Sequence, residues 1–284
     1  MTVVALDIGG TNIRAARVDA DGTILARRVA PTTREPALDA LVAELADEQV
    51  AAIGVGVTGP VVDGVVENPH TLPGWEGLDL RAALRSFGVP VVVDNDANAA
   101  ALGEWWLGGR ASRLAMVTFG TGIGVGSVVD GVVQRGPAGV HGEAGHMVLD
   151  PAGPPCYCGA RGCWEQLAAG PALPRLAASA GLDVATGAEL TALARAGDPR
   201  ALEAFAELGR WIGLGLLNLT AVFAPDVIVL GGGLGAEHDL FAASMTAAMA
   251  NAMVPTASVR VRPAAHGDDA GLLGAAYAAL ECSL

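Results

Sequence analysis

Lysine is absent from this chain of 284 residues, and all 17 basic side chains are arginine. Without lysine there can be no Gly-Lys-Ser/Thr of a P-loop and no strand lysine of the protein-kinase kind. If the chain handles nucleotide phosphates, glycine-rich backbone and a metal ion must hold them. Cations are also outnumbered, 17 to 30, which leaves a formal net charge of −13. That balance disfavours a nucleic acid partner, because binding there rests on neutralising phosphates. No apolar run reaches the roughly 18 residues that suggest a bilayer span. Met1 leads directly into Val3-Val4-Ala5-Leu6-Asp7, without the basic segment that opens a signal peptide. The expectation is a cytoplasmic protein with no membrane and no nucleic acid partner. The length and a hydrophobic content of 52% suffice for two domains with substantial cores.

Cysteine is scarce too, yet three of the four cysteines fall within Cys156-Tyr157-Cys158-Gly159-Ala160-Arg161-Gly162-Cys163. His146, in Gly142-Glu143-Ala144-Gly145-His146, precedes the first of them by ten positions. One histidine and three thiolates make the tetrahedral N/S shell of a closed structural zinc site. In a reducing compartment clustered thiols favour a metal over a disulfide. Gly159 and Gly162 allow the short loop to turn back on the ion, since glycine takes positive φ at little steric cost. Glu143 and Glu165 flank the ligands, so a zinc knot would fix two acidic acceptors in space. Cys282 stands apart and reads as a plain thiol.

Residues Val3–Asp7 read as a buried strand that ends in Asp7-Ile8-Gly9-Gly10-Thr11-Asn12, followed by strands over Ile13–Asp19 and Thr23–Val29. Gly9 and Gly10 would turn consecutive N–H groups towards an anion, Thr11 would add a hydroxyl, and Asp7 could face magnesium through water. Two glycines at the mouth of an ordinary hairpin would look the same. An amphipathic helix is expected over Pro36–Glu48, a strand over Ala51–Val57 that ends at Thr58-Gly59-Pro60, and an edge strand over Val61–Glu67. The loop Asn68–Trp75 offers an amide and an indole, suited to a sugar or equally to a docked surface loop. A strand over Val89–Val93 runs into Asp94-Asn95-Asp96-Ala97-Asn98, the start of a helix that continues to about Trp106. Strand C-termini are where α/β proteins bind ligands. One of these aspartates could merely cap the helix, but four Asn/Asp in five residues exceed what a cap requires, which favours a catalytic role for Asp94 or Asp96.

Near Leu107–Arg110 a second domain is expected to open with a strand over Leu114–Phe119, the turn Gly120-Thr121-Gly122-Ile123-Gly124, and a strand over Ile123–Val129. Alternating glycines that lead into a strand are not the dinucleotide fingerprint, which needs a helix there. A second phosphate hairpin fits better. Helices are expected over Ala172–Ala180, Ala188–Ala196 and Pro199–Phe223, the last broken up by Gly209, Gly213 and Gly215. A strand over Asp226–Leu230 ends in Gly231-Gly232-Gly233, which suits a flat adenine or a simple crossover. A helix over Leu240–Met253, a strand over Val259–Val261 and a helix over Ala270–Leu280 complete the chain.

In order, Asp-Ile-Gly-Gly-Thr (7–11), Asn95-Asp96-Ala97-Asn98, Gly-Thr-Gly-Ile-Gly (120–124), Gly-Glu-x-Gly-His (142–146), Cys-x-Cys-Gly-x-x-Gly-Cys-x-Glu (156–165) and the glycines at 231–233 resemble the ROK family of sugar kinases and repressors across essentially the whole chain. The resemblance implies an α/β fold of two actin-like, ribonuclease H-like ATPase lobes around a cleft, with the zinc loop in the second. The lobes would be residues 1–108, joined by a C-terminal helix over 270–284, and 109–269. It further implies ATP and Mg²⁺ at Asp7, Gly9, Gly10, Thr11, Asn12, Gly120, Thr121, Gly122, Gly124, Gly231, Gly232 and Gly233. Asp96 would be the general base. Gly59, Asn68, Asn95, Asp96, Glu143, His146 and Glu165 would bind the sugar, and His146, Cys156, Cys158 and Cys163 a structural Zn²⁺. Asn12 stands where many members have lysine, and Val125 where many have glycine.

The implied activity is ATP-dependent phosphorylation of a hexose, with glucose favoured and N-acetylmannosamine, fructose or allose as alternatives, in a homodimer or homotetramer. Polyphosphate as donor would need a basic channel that the composition does not suggest. A sugar-responsive repressor would carry a helix-turn-helix ahead of the first phosphate motif, which already begins at residue 7. Asp7 and Asp96 both speak against a non-catalytic sugar sensor.

Overall fold

The computed structural model describes residues 1–35, 37–68, 70–250 and 259–283. In chain order its strands and α-helices are β1 (Thr2–Ile8), β2 (Asn12–Asp19), β3 (Ile24–Pro31), α1 (Leu38–Ala43), β4 (Val50–Val57), β5 (Val61–Val62), β6 (Val65–Val66), α2 (Leu80–Leu84), β7 (Val91–Asn95) and α3 (Asp96–Leu107). There follow β8 (Arg113–Phe119), β9 (Ile123–Val129), β10 (Val132–Val133), α4 (Trp164–Ala168), α5 (Leu173–Ser179), α6 (Gly187–Arg195), α7 (Pro199–Phe223), β11 (Val227–Gly231), α8 (Gly232–Gly235), α9 (His238–Ala250), β12 (Arg260–Pro263) and α10 (Ala270–Cys282). Two compact units result. One comprises Met1–Met116, Gly126–Gly142 and Ala265–Leu284, the other Val117–Val125 and Glu143–Ala264.

In the first unit a sheet of order β3-β2-β1-β4-β7 places β1 at its centre, antiparallel to β2 and parallel to β4. The period-2 alternation of a strand sorts the β1 side chains into two cores. Val4, Leu6 and Ile8 face Leu41, Val42, Trp75, Leu80 and Leu84, whereas Val3 and Ala5 face Leu272, Ala276 and Ala279 of α10. The second of these cores depends on small residues. A Cβ on Gly274 would lie 1.6 Å from the Ala99 carbonyl oxygen, so α10 and α3 pack at a distance that only glycine permits. The register also sets Asp7 opposite Arg14 of β2 and Gly56 of β4.

The second sheet has the order β10-β9-β8-β11-β12. In the second unit α7 packs on α9, α4, α5 and α6. Its start is capped by Asp198, whose side chain accepts from the amides of Arg200 and Ala201, with Pro199 in the first turn. Among the described residues no helix is long and apolar enough to cross a membrane.

Several expectations need correction. Helix α7 is continuous, and its glycines are points of close approach. A Cβ on Gly213 would lie 2.5 Å from the Met245 carbonyl oxygen of α9, and one on Gly215 2.0 Å from the Trp164 ring. The helix expected over Pro36–Glu48 is confined to α1, and Pro36 lies outside the described residues. Val61–Glu67 is no edge of the main sheet but a separate pair, β5-β6, turned at Asp63 (φ 50°) and Gly64 (φ 85°). Helix α9 begins two residues earlier than expected, and the end expected for it at 251–253 falls outside the described residues.

Candidate functional site

In the first unit the polar residues gather where β1, β4 and β7 end and α3 begins. Asp7 is largely buried, with 14% side-chain exposure. Arg14 Nη1 lies 3.4 Å from its carboxylate, and Arg14 Nη2 3.1 Å from Asp268. Burial, followed by the charge of Asp96, pushes the Asp7 carboxyl up to about 6 despite Arg14. The turn after β1 is tighter than expected. The Gly9 amide donates to the Asn12 carbonyl at 3.0 Å, and the Gly9 carbonyl accepts from the Thr32 hydroxyl at 2.7 Å. The Gly9 N–H is therefore spent in closing the hairpin, which leaves Gly10, Thr11 and Asn12 as the exposed part of the turn.

The run 94–98 divides its labour. Asn95 caps α3, its Oδ1 accepting from the amides of Ala97 (2.9 Å) and Asn98 (3.3 Å). Its Nδ2 donates to the Gly59 carbonyl at 3.2 Å and to Asp96 Oδ1 at 3.0 Å. The Asp96 carboxylate also accepts from the Ala97 amide at 2.8 Å and from the Thr58 hydroxyl. Burial nevertheless raises its pKa, against those bonds and against the charge of the buried His141. Asp94 and Asn98 lie beneath, bonded to each other at 2.9 Å. Asn68 is 4% exposed and fully engaged. It donates to the Thr58 carbonyl (3.0 Å) and to Thr71 Oγ1, and accepts from the amides of His70 (3.2 Å) and Thr71 (3.1 Å). Pro69, between these residues, lies outside the described residues. Gly59 has φ 78°, and a Cβ there would overlap the Asn68 amide at 2.0 Å.

In the second unit the turn at 120–124 closes in a similar way, the Gly120 amide donating to the Gly122 carbonyl at 3.0 Å before β9 begins at Ile123. A strand follows, as the glycine spacing implied. Thr121 is exposed on this turn, and the Gly124 carbonyl accepts from the Thr118 hydroxyl at 3.4 Å. A Cβ on Gly122 would lie 2.8 Å from Glu165 Oε2, so the turn and this carboxylate are neighbours. Gly231 ends β11, while Gly232 (φ 74°) opens α8 against the Phe119 backbone, where a Cβ would meet the Phe119 oxygen at 2.3 Å. The next residue, Gly233, is exposed.

The ligand atoms of His146, Cys156, Cys158 and Cys163 all lie within 4.8 Å of one another. A tetrahedral zinc with the usual bond lengths sets sulfurs about 3.8 Å apart and nitrogen about 3.6 Å from sulfur. The Cys158 and Cys163 sulfurs are 3.6 Å apart, and His146 Nδ1 is 3.5 Å from Cys156 Sγ. The donor set and its spacing are compatible with a zinc site. Burial, together with the neighbouring thiols, pushes Cys163 up to about 12, so a cation is needed to make it a thiolate. The histidine ring joins the cluster to the flanking acids. Its Nδ1 is 3.7 Å from Glu165 Oε1, and its Nε2 is 4.0 Å from Glu143 Oε2 and 3.2 Å from the Tyr157 hydroxyl.

Four residues around these groups were not anticipated: Arg14, Thr58, His141 and Tyr157. The hairpin register could have revealed Arg14, since a four-residue connection after Ile8 pairs it with Asp7. Thr58 follows directly on β4, so its position was legible, though its partner was not. Nothing in the spacing marks His141 or Tyr157.

A model of the ROK family matches residues 3–281. A glucokinase of Streptomyces coelicolor is 36% identical to the chain, the match covering 98% of this chain and 97% of the relative. An N-acetylmannosamine kinase of Escherichia coli is also 36% identical, over 99% of each. Among solved structures, a ROK family glucokinase from Streptomyces griseus in complex with glucose and AMPPNP superposes with a TM-score of 0.82 at 34% identity, covering 99% of this chain and 100% of the other. The fold is thus the mixed α/β, actin-like ATPase fold of the ROK sugar kinases. The chain belongs to the ROK family.

Proposed function

We propose that the chain transfers the γ-phosphoryl group of ATP to the C6 hydroxyl of glucose, with Asp96 as general base. The observation that carries this reading is the state of Asp96. It is a partly buried carboxylate at the start of α3, raised in proton affinity by burial and oriented by Asn95 Nδ2, the Ala97 amide and Thr58. Such a group can accept the proton of an attacking hydroxyl, a contribution of about 10²–10⁴ in rate. Phosphoryl transfer asks otherwise for positioning and charge neutralisation. Mg²⁺ bound near Asp7 would neutralise charge on the phosphate oxygens. The backbone N–H groups other than those of Gly9 and Gly120 in the turns at 9–12 and 120–124 would hold those phosphates, with Gly231–Gly233 against the adenine. Gly59, Asn68, Asn95, Glu143, His146 and Glu165 would form the sugar contacts. A zinc ion on His146 and the three cysteines would be structural, fixing the orientation of the flanking glutamates. The assembly would be a homodimer or homotetramer.

N-acetylmannosamine is the second reading, because the identity to a kinase named for that sugar equals the identity to a glucokinase. Release of ADP across a panel of hexoses separates the two by kcat/KM, and 6-deoxyglucose should not react. Asp96→Asn should keep sugar affinity within a few-fold and lower kcat at least about a hundredfold. Undiminished turnover in that variant would leave Asp96 as no more than part of a helix start.

A further inference from the structure

Asp94, two residues before the proposed base, is 8% exposed, and both its carboxylate oxygens are engaged. Oδ1 accepts from the Asn95 amide at 2.8 Å and from Asn98 Nδ2 at 2.9 Å. Oδ2 accepts from Arg135 Nε at 3.1 Å and from Arg135 Nη2. Arg135 follows β10 and is itself anchored, Nη1 donating to the Val133 carbonyl at 3.4 Å. From Asp94 the network continues through Asn95, which caps α3 with Oδ1 and donates from Nδ2 to Asp96. A continuous chain of hydrogen bonds thus leads from Arg135 to the Asp96 carboxylate.

We propose that Arg135 is a positioning residue for phosphoryl transfer, acting through Asp94 to hold the Asn95–Asp96 corner in the geometry of the reacting base. This rests on the reading of Asp96 as the base. A planar guanidinium that reaches one oxygen from two nitrogens fixes that oxygen in a way a single ammonium does not. Its loss leaves a buried carboxylate unpaired, and such a group rearranges or admits water. Displacement of a catalytic group by about 1 Å can cost about a hundredfold in rate. The sugar and nucleotide contacts proposed at other residues would be spared.

The test compares full-length Arg135→Gln, Arg135→Lys, Asp94→Asn and Asp96→Asn by kcat, by KM for glucose and for Mg-ATP, and by thermal melting. Arg135→Gln should lower kcat by roughly 10- to 100-fold while both KM values stay within about threefold. Lysine should restore part of the loss, and combining Arg135→Gln with Asp94→Asn should cost little more than the worse single variant, since the two act as one unit. The proposal is overturned if Arg135→Gln keeps kcat within twofold of the parent, if kcat and both KM values move together with the loss of folded protein, or if lysine does no better than glutamine. Should Arg135→Gln fail to fold, Asp94→Asn gives the same split, because it keeps the Oδ1 acceptor and removes the charge. A lower kcat at steady KM then supports the proposal, and an unchanged kcat defeats it. An active Asp96→Asn would instead sink the assignment of the base, whereas an inert Asp96→Asn beside a fully active Arg135→Gln would sink only the role of Arg135.

Discussion

Replacing Asp7 by asparagine should make the protein more stable while removing a group proposed to serve the reaction. The Asp7 carboxyl titrates near 3.8 when unperturbed and is pushed to about 6 in the fold, first by burial and then by the charge of Asp96. The folded state therefore holds the Asp7 proton more tightly than the unfolded state does, and ionisation of Asp7 opposes folding. No cost exists below pH 3.8, the cost grows as pH rises from 3.8 to 6, and it is fully present above 6. The difference between 6 and 3.8, about 2.2, corresponds to about 3 kcal/mol at about 1.36 kcal/mol per pH unit. The asparagine of Asp7→Asn would carry no charge to desolvate, so the variant should gain up to about that amount at pH 7.5 and almost nothing at pH 3.5. At roughly 2–4 °C per kcal/mol, the melting temperature should rise by roughly 6–12 °C at the higher pH. Thermal melts of parent and variant across pH 3.5 to 8 read this directly, and Mg-nucleotide should raise the melting temperature of the parent more than that of the variant. A variant less stable than the parent at pH 7.5, or a difference that ignores pH, would refute the reasoning. The gain would also say that this carboxylate is kept for chemistry and not for folding.

Other substitutions test other parts of the structure. Cys158→Ser should lower bound zinc from one per chain and weaken sugar affinity while nucleotide affinity holds, because the loop loses the metal free energy that organises it; metal analysis with calorimetric titration decides it, and unchanged sugar affinity in zinc-free protein would limit the metal to a purely structural part. Gly274→Ala should destabilise by about 3 kcal/mol or more, since its Cβ would sit 1.6 Å from the Ala99 carbonyl and drive α3 from α10; a urea midpoint equal to that of the parent would contradict the packing. The acid limb of kcat/KM should lie above the ordinary aspartate pKa of 3.8, because burial raises both Asp7 and Asp96; a profile flat down to pH 4 would show that neither group must be ionised.

The strands and the turns were legible because local chemistry decides them. Val3–Leu6 is apolar and opens on two β-branched residues, with Gly9 and Gly10 shortly behind it, a pattern that suits a buried strand. The cluster of His146, Cys156, Cys158 and Cys163 was legible because one imidazole and three thiols at short spacing have few other uses. What the sequence could not show depends on contacts remote along the chain. Gly213 and Gly215 look like helix breakers until α9 and Trp164 are seen pressed against them. Gly9 looks like an anion donor until its amide is found bonded to Asn12. Asp94 and Asp96 share a strand end and a side-chain type. The structure separates them, pairing Asp94 with Arg135, 41 positions away, and leaving Asp96 to Asn95, the Ala97 amide and Thr58.

Hydrogen-bonding capacity also narrows which residues can read the sugar. Asn68 uses both amide donors and both acceptor positions on Thr58 and its own loop, and Asn95 uses its own on the α3 cap, Gly59 and Asp96. A hydroxyl that reached either amide would replace a bond already made, and the net gain of such an exchange is small. The contacts proposed for them would then lie more in shaping the surface than in new hydrogen bonds, with Gly59 obligatory because Asn68 occupies the space of a Cβ there. Carboxylates have more to give, since each accepts at about four sites. Glu143, with 45% side-chain exposure, and Glu165, buried beside His146 and Gly122, are the groups whose orientation a metal on the cysteine cluster would fix. Discrimination between glucose and N-acetylmannosamine should therefore follow changes at Glu143 and Glu165 more closely than changes at Asn68 or Asn95. Removing a carboxylate that reads the substrate leaves a sugar hydroxyl unpaired, whereas removing an amide that staples its own loop first costs stability.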